Sequence, residues 1–304
     1  MMISEEYSAG LDGLLPDPAR SVVAVLPPSN VAGAWAGGPS AVLAGGEIVL
    51  AYRLRRPVGQ GRGFAVVVAR SSDGEDFQTL QVITKEQMDA ESLERPVLAV
   101  TADGSWRLYL SCATWGTKHW RVELLEGHSP DAFDVRRRRV VLPGDQARAV
   151  KDPVIVQNAG SWHMWACIHP LTEPDQTDRM WSEYASSANG LDWTWHGPAL
   201  LPRPGQWDAR GVRVSDVRFT ADGVVAYYDG RATAAENFEE RTGVAVGALP
   251  GTLTALGSEP AAESPVGRRG LRYVSTLPLG DGRARLYYEL TRADGAHELR
   301  TELR

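Results

Sequence analysis

Lys151-Asp-Pro-Val-Ile-Val156, a turn at Asn158-Ala-Gly160 and Ser161-Trp-His-Met-Trp-Ala166 read as two apolar strands joined by a tight hairpin. The same phrase stands on either side of it. Upstream are Gly38-Pro-Ser-Ala-Val-Leu43 with Glu47-Ile-Val-Leu-Ala-Tyr52, and Arg95-Pro-Val-Leu-Ala-Val100 with Ser105-Trp-Arg-Leu-Tyr-Leu-Ser111. Downstream are Val214-Ser-Asp-Val-Arg-Phe219 with Gly223-Val-Val-Ala-Tyr-Tyr228, and Arg272-Tyr-Val-Ser-Thr-Leu277 with Arg283-Ala-Arg-Leu-Tyr-Tyr288. Pro39, Pro96 and Pro153 fall at equal intervals. Each pair of runs brackets a turn rich in Gly, Asp or Asn, where positive φ angles are tolerated.

A third strand follows in most units. Phe64-Ala-Val-Val-Val-Ala-Arg-Ser-Ser-Asp-Gly74 and Trp181-Ser-Glu-Tyr-Ala-Ser-Ser-Ala-Asn-Gly190 match, each with an aromatic residue shortly after. Three to four strands per unit of this length is a propeller blade. The predicted fold is therefore all-β, a five-bladed β-propeller forming one domain over 1–304. Its blades start near 38, 95, 152, 214 and 272, and Ser21-Val-Val-Ala-Val-Leu26 is the outer strand expected to close the ring. An elongated β-solenoid would use shorter repeats, and a doubly wound α/β fold would need helical periods that are absent. Short helical pieces are expected only in the connections Lys85–Glu94 and Thr233–Glu240.

The totals exclude several function classes. The 304 residues are 43% hydrophobic and 23% charged, with a net charge of −6, which disfavours non-specific nucleic-acid binding. The basic run Arg136–Arg139 is expected on a solvated outer strand. Met1-Met-Ile-Ser-Glu-Glu-Tyr-Ser8 has no basic, apolar leader pattern, and no stretch has the length of a membrane helix. Cys112 and Cys167 sit in apolar strands and are expected to be reduced and buried. The six histidines show no zinc spacing, and neither a phosphate loop nor a nucleophile elbow is present. The expectation is a cytoplasmic protein without cofactor or metal, binding a small molecule or an oligosaccharide and neither nucleic acid nor membrane.

In a propeller the innermost strands line a central channel, and polar residues at their starts gather at one mouth. Here these are Glu94, Arg95, Lys151, Asp152, Arg213, Asp216, Arg272 and, at the ends of the following strands, Asp229, Arg231 and Glu289. Charged groups are seldom buried unless paired, so their convergence predicts either a polar ligand site or an ion-pair plug. Trp115 and His169 follow strands toward the same mouth. A ring at 115 would stack on a sugar; core packing for the tryptophan and a structural hydrogen bond for the histidine are the alternatives.

The Asp152-Pro-Val-Ile-Val156 strand with Gly160-Ser-Trp-His-Met-Trp165 resembles the Asp-Pro hairpin of the five-bladed glycosidases, glycoside hydrolase families 43, 32, 68 and 130. Tyr184-Ala-Ser-Ser-Ala-Asn-Gly-Leu-Asp-Trp193 is similar to their outer-strand turn. The resemblance spans roughly residues 30–300 and implies two carboxyl groups flanking a glycosidic bond, one ionised and one protonated. Asp152 matches the Asp that orients the sugar. Asp216 or Ser215 stands near the acid position, with Asp229 and Glu94 as other proton donors, and Arg95, Lys151, Arg213, Arg231, Arg272, Glu289, Trp115 and His169 as ligand contacts. The first-blade position reads Ala36-Gly-Gly-Pro39, without the carboxylate of the hydrolases; family 130 uses phosphate as nucleophile. The resemblance implies hydrolysis or phosphorolysis of a glycosidic bond. A non-catalytic sugar- or anion-binding propeller, or one recruited to a non-sugar reaction such as natural-product cyclisation, are the other readings. Glu239 or Glu240, in the polar segment after Asp229-Gly-Arg231, offers a further acid. A lone carboxylate among arginines would favour anion binding.

Overall fold

The computed structural model describes residues 14–304; the N-terminal Met1–Ser8 segment lies outside them. Each repeated phrase is an antiparallel hairpin with two further strands added outside it. The first unit comprises β2 (Trp35–Ala44), β3 (Glu47–Arg55), β4 (Gly63–Ser71) and β5 (Gln78–Thr84). The second comprises β6 (Leu93–Val100), β7 (Trp106–Ala113), β8 (Trp120–Gly127) and β9 (Arg139–Leu142). The third comprises β10 (Arg148–Asn158), β11 (Ser161–Pro170), β12 (Trp181–Ser187) and β13 (Thr194–Leu200). The fourth comprises β14 (Gly211–Thr220), β15 (Gly223–Arg231), β16 (Arg241–Leu249) and β17 (Thr252–Ala255). The last has β18 (Leu271–Pro278), β19 (Ala284–Thr291) and β20 (His297–Leu303), and β1 (Val22–Val25) pairs antiparallel with β20 as its outer strand. The middle three units are separate four-stranded sheets; the first and last are joined by the single parallel bridge Trp35↔His297.

Apolar alternation makes this arrangement cohere. Between neighbouring sheets lie five clusters of buried side chains, each drawing on two successive units and one joining last to first. A sheet buried on both faces reads as continuous apolar sequence, as Leu108, Tyr109 and Leu110 do in β7. The Ser-Ser turns clip neighbours together. The Ser71 and Ser187 hydroxyls accept backbone N–H bonds from Gly74 (2.8 Å) and Gly190 (2.9 Å). Tyr287 and Tyr109 of the adjoining units then donate to the carbonyls of those two glycines.

Every inner strand breaks register at the same place. The breaks fall between Gly37 and Ser40, Leu93 and Pro96, Lys151 and Val154, Val214 and Asp216, and Arg272 and Ser275. Pro39, Pro96 and Pro153 have no N–H to give the ladder, which suits them to a bulge. Gly38, Asp152 and Tyr273 take positive φ there (62°, 48° and 54°); for Asp and Tyr that is a sparsely populated, strained conformation.

One connection differs from expectation. Residues 85–92 form turns rather than a helix, whereas 233–240 hold one 3₁₀ turn, Ala234–Glu236, capped by Thr233. Both segments are too short for helix propagation to repay nucleation. The basic run also departs from a continuous strand: Val135–Arg137 is a 3₁₀ turn, and the strand begins only at Arg139. Asp134 caps that turn through the Arg136 N–H. Cys112 and Cys167 are buried and form no disulfide. Among the described residues no helix is long and apolar enough to cross a membrane.

Candidate functional site

The register breaks turn residues 38, 95, 152, 215 and 273 toward one another at the waist of the channel. Their contacts trace the ring. The Arg95 N–H donates to Asp152 Oδ1 (3.3 Å), the Tyr273 hydroxyl donates to Asp152 Oδ2 (3.1 Å), and Arg95 Nη2 donates to the Ser215 carbonyl (2.6 Å). A Cβ on Gly38 would stand 3.4 Å from Arg95 Cα. Of the five positions only 152 carries a carboxylate.

One step toward the N-terminal end of the inner strands, the channel widens into a funnel of about 320 Å³. Glu94, Lys151, Arg213, Arg231, His169 and Arg272 line it as anticipated, together with Arg53, Arg55 and Glu240. Most of these charges are paired. Arg213 reaches Asp229 Oδ2 (2.8 Å) and Asp152 Oδ2 (3.2 Å). Glu289 accepts from Arg272 Nη2 (2.6 Å), Arg53 Nη2 (2.8 Å) and His297 Nδ1 (2.7 Å). Glu94 accepts from both Arg53 and Arg55, and Glu240 from Arg231 and Arg272. The Tyr273 ring lies among the guanidinium groups, 3.9 Å from that of Arg213.

These surroundings set the protonation states. Burial would raise the Asp152 carboxyl, but Lys151 and Arg213 outweigh it and hold it ionised below its ordinary range. Burial likewise opposes ionisation of Glu94, Glu240 and Glu289, and the arginines outweigh it and hold all three ionised, below their ordinary range. Asp229 is raised by burial despite Arg213, yet it has no exposed surface and also accepts the Tyr273 N–H. His169 is pushed down to about 3 by burial and by Lys151 and Arg231, so it is neutral. Its ring nitrogens face the Thr177 carbonyl (3.1 Å) and the Cys167 thiol (3.5 Å).

Three expected site residues, Arg95, Trp115 and Asp216, stand elsewhere, and Asp152, Asp229 and Glu289 are fully buried and not among the funnel's lining residues. Arg95 turns to the opposite end of the channel. Trp115 is half exposed in the β7–β8 turn under Lys85 and is not among the residues lining the funnel, because the hairpin tip carries it outward. Asp216 opens onto the opposite end of the channel. The bulge at Ser215 turns the chain by one position, and Asp216 Oδ2 accepts from the N–H (3.0 Å) and hydroxyl of Thr276. Burial raises its pKa to about 6. Glu239 is tied to Thr291 (2.5 Å) and His297 (3.2 Å) instead of reaching the funnel.

Asp216 carries a pH signature. A carboxyl whose folded pKa exceeds its unfolded one favours folding fully below about 4, and that contribution is lost as pH rises through about 6. Asp216→Asn keeps an acceptor for Thr276 without the charge. It is expected to be more stable than wild type at pH 7.5 by on the order of 1–3 kcal/mol. The gain should shrink toward zero near pH 4 in denaturant titrations; a pH-independent difference would contradict the assignment.

Arg53, Arg55 and Tyr273 were not singled out from sequence, although the repeat pointed to them. Tyr273 aligns with Asp152, and Arg53 pairs with Gly37 as Asp229 does with Arg213 and Glu289 with Arg272.

No protein-family model and no curated protein matches the chain. Among solved structures, a glycosyl hydrolase from Bacteroides ovatus is 17% identical, with 94% of this chain and 92% of that one covered and a TM-score of 0.65. A β-1,2-mannobiose phosphorylase from Listeria innocua, in complex with β-1,2-mannobiose, is 16% identical over 90% of both chains at 0.64. A member of the family 130 mannoside phosphorylases, which also contains hydrolases of β-1,2-mannosidic linkages, is 19% identical over 95% of both at 0.65. The chain thus has the propeller fold of glycoside hydrolase-like proteins.

Proposed function

We propose that the funnel binds a carbohydrate through an anionic group, a phosphate or a carboxylate. One observation carries this reading: the funnel is lined by eight Lys or Arg against three Asp or Glu, and its unpartnered buried atoms are all donors. They are Nε of Arg53, Arg55, Arg62 and Arg231 and the indole N–H of Trp35. Burial, with Arg53 and Arg272 nearby and only Glu94 to offset it, lowers the Arg55 pKa to about 10, the mark of an under-neutralised cation. An acceptor-rich anion matches such a set, since charge-assisted bonds to arginine are the strong ones. Trp120, beneath the Lys151 ammonium at 4.4 Å, supplies an apolar face.

Asp152, Glu94 and Glu240 are each held between cations and Asp216 faces the far end of the channel, which disfavours hydrolysis by a carboxylate pair. Phosphorolysis is the second reading, because the same cations would hold inorganic phosphate. Calorimetric titration should show a sugar phosphate or uronic acid binding at least tenfold more tightly than the neutral sugar, with Lys151→Met removing about tenfold. Equal affinity for neutral and acidic sugars would sink the anion reading. Release of a sugar phosphate from β-1,2-mannobiose and phosphate would establish the second.

A further inference from the structure

The opposite end of the channel is a second cavity of about 450 Å³, bounded by the C-terminal halves of all five inner strands. Arg95 reaches into it from the waist. Its side chain is buried, with the residue only 3% exposed, and one nitrogen, Nη2, is held by the Ser215 carbonyl (2.6 Å). Nε and Nη1 have no partner, and neither has the buried hydroxyl of Ser215. Ser40 Oγ accepts the Leu98 N–H (3.0 Å), so its own proton is free to be donated into the cavity. The acidic group on this wall, Asp216, already takes both Thr276 donors on Oδ2. Among the described residues the Arg95 side chain makes no ion pair.

We propose that this far cavity is a second binding site, separate from the funnel, for an oxyanion of the carboxylate or phosphate class, held by Arg95 with Ser40. Leaving a buried guanidinium N–H unmade costs far more than the net gain of making the bond, so a site with two such nitrogens is poised for an acceptor. Burial lowers the Arg95 pKa even though Asp216, Asp229 and Asp152 act to raise it, which leaves the cation short of compensation. Val97, Val154 and Val217 add apolar wall to the same cavity.

The test separates the two ends of the channel. Inorganic phosphate and acetate are titrated into the full chain, into Lys151→Met and into Arg95→Met, and crystals are grown with selenate for anomalous scattering. The expected results are a selenate peak beside Arg95 Nε and Nη1, binding retained in Lys151→Met, and at least tenfold weaker binding at this site in Arg95→Met. Ser40→Ala, which removes only a hydroxyl and keeps the fold's ion pairs, should weaken it several-fold if Arg95→Met does not fold. Anomalous density confined to the funnel, or oxyanion binding that Lys151→Met abolishes and Ser40→Ala leaves unchanged, overturns the second site. Failure of the acidic-sugar titration in the funnel leaves it standing.

Discussion

Arg213→Met is expected to destabilise the protein by about 3–5 kcal/mol, the cost of stripping one partner from a buried ion pair. Among the described residues Arg213 is the sole arginine within ion-pair distance of Asp152, and it also binds Asp229; neither carboxylate has exposed surface. Lys151, 3.4 Å from Asp152 Oδ2, covers part of one charge, and nothing comparable covers Asp229. The methionine also leaves the face of Tyr273 without the cation now 3.9 Å from its ring. In a chain of this size such a loss corresponds to a fall in Tm on the order of 10 °C. It should shrink as acid protonates the abandoned carboxylates. Arg213→Lys restores the charge without the planar fork and should recover only part of the loss. A change below about 1 kcal/mol for Arg213→Met in equilibrium unfolding would mean that the network contributes little to folding.

Gly37→Ala should be nearly as severe, and its neighbour should not. A methyl group at 37 would overlap Oε2 and Cδ of Glu289 and stand 2.6 Å from its Cγ. Glu289 has nowhere to retreat, since its two oxygens are held by Arg53, Arg272 and His297. The substitution therefore adds overpacking to a broken buried network, about 4 kcal/mol or more. Gly38 has the same left-handed φ that Asp152 adopts in its own bulge, and a Cβ there meets only ordinary contact with Arg95. Gly38→Asp is accordingly expected to cost about 1–2 kcal/mol, mostly backbone strain. Thermal unfolding of the two single variants checks the contrast, and equal losses would refute it.

The propeller was legible in the chain because its cues are local. Alternation of apolar residues, turn chemistry at Ala102-Asp-Gly104 and Ala221-Asp-Gly223, and the spaced prolines all lie within a hairpin's length. They repeat, so each unit corroborates the next. The expectation of a short helical piece holds at Thr233–Glu240 as the 3₁₀ turn Ala234–Glu236 and fails at Lys85–Glu94, where the length of the connection is set by the sheets it joins.

The site was legible only as an inventory. Aligned repeats place Glu94, Lys151, Asp152, Arg213 and Arg272 near the axis, because residues at one depth of a repeating strand must meet. Which charge neutralises which is another matter. Arg53 binds Glu289 across 236 positions of sequence, and Tyr273 binds Asp152 across 121; no local rule pairs them. Asp216 shows the sharpest limit, for a single extra residue in the Ser215 bulge decides which end of the channel a side chain faces. The strand pattern thus determined the architecture and the ring of residues around its axis. Tertiary structure alone decided which carboxylates are locked by arginines and which donors are left open, because buried charges take their energies from partners that only folding brings within reach.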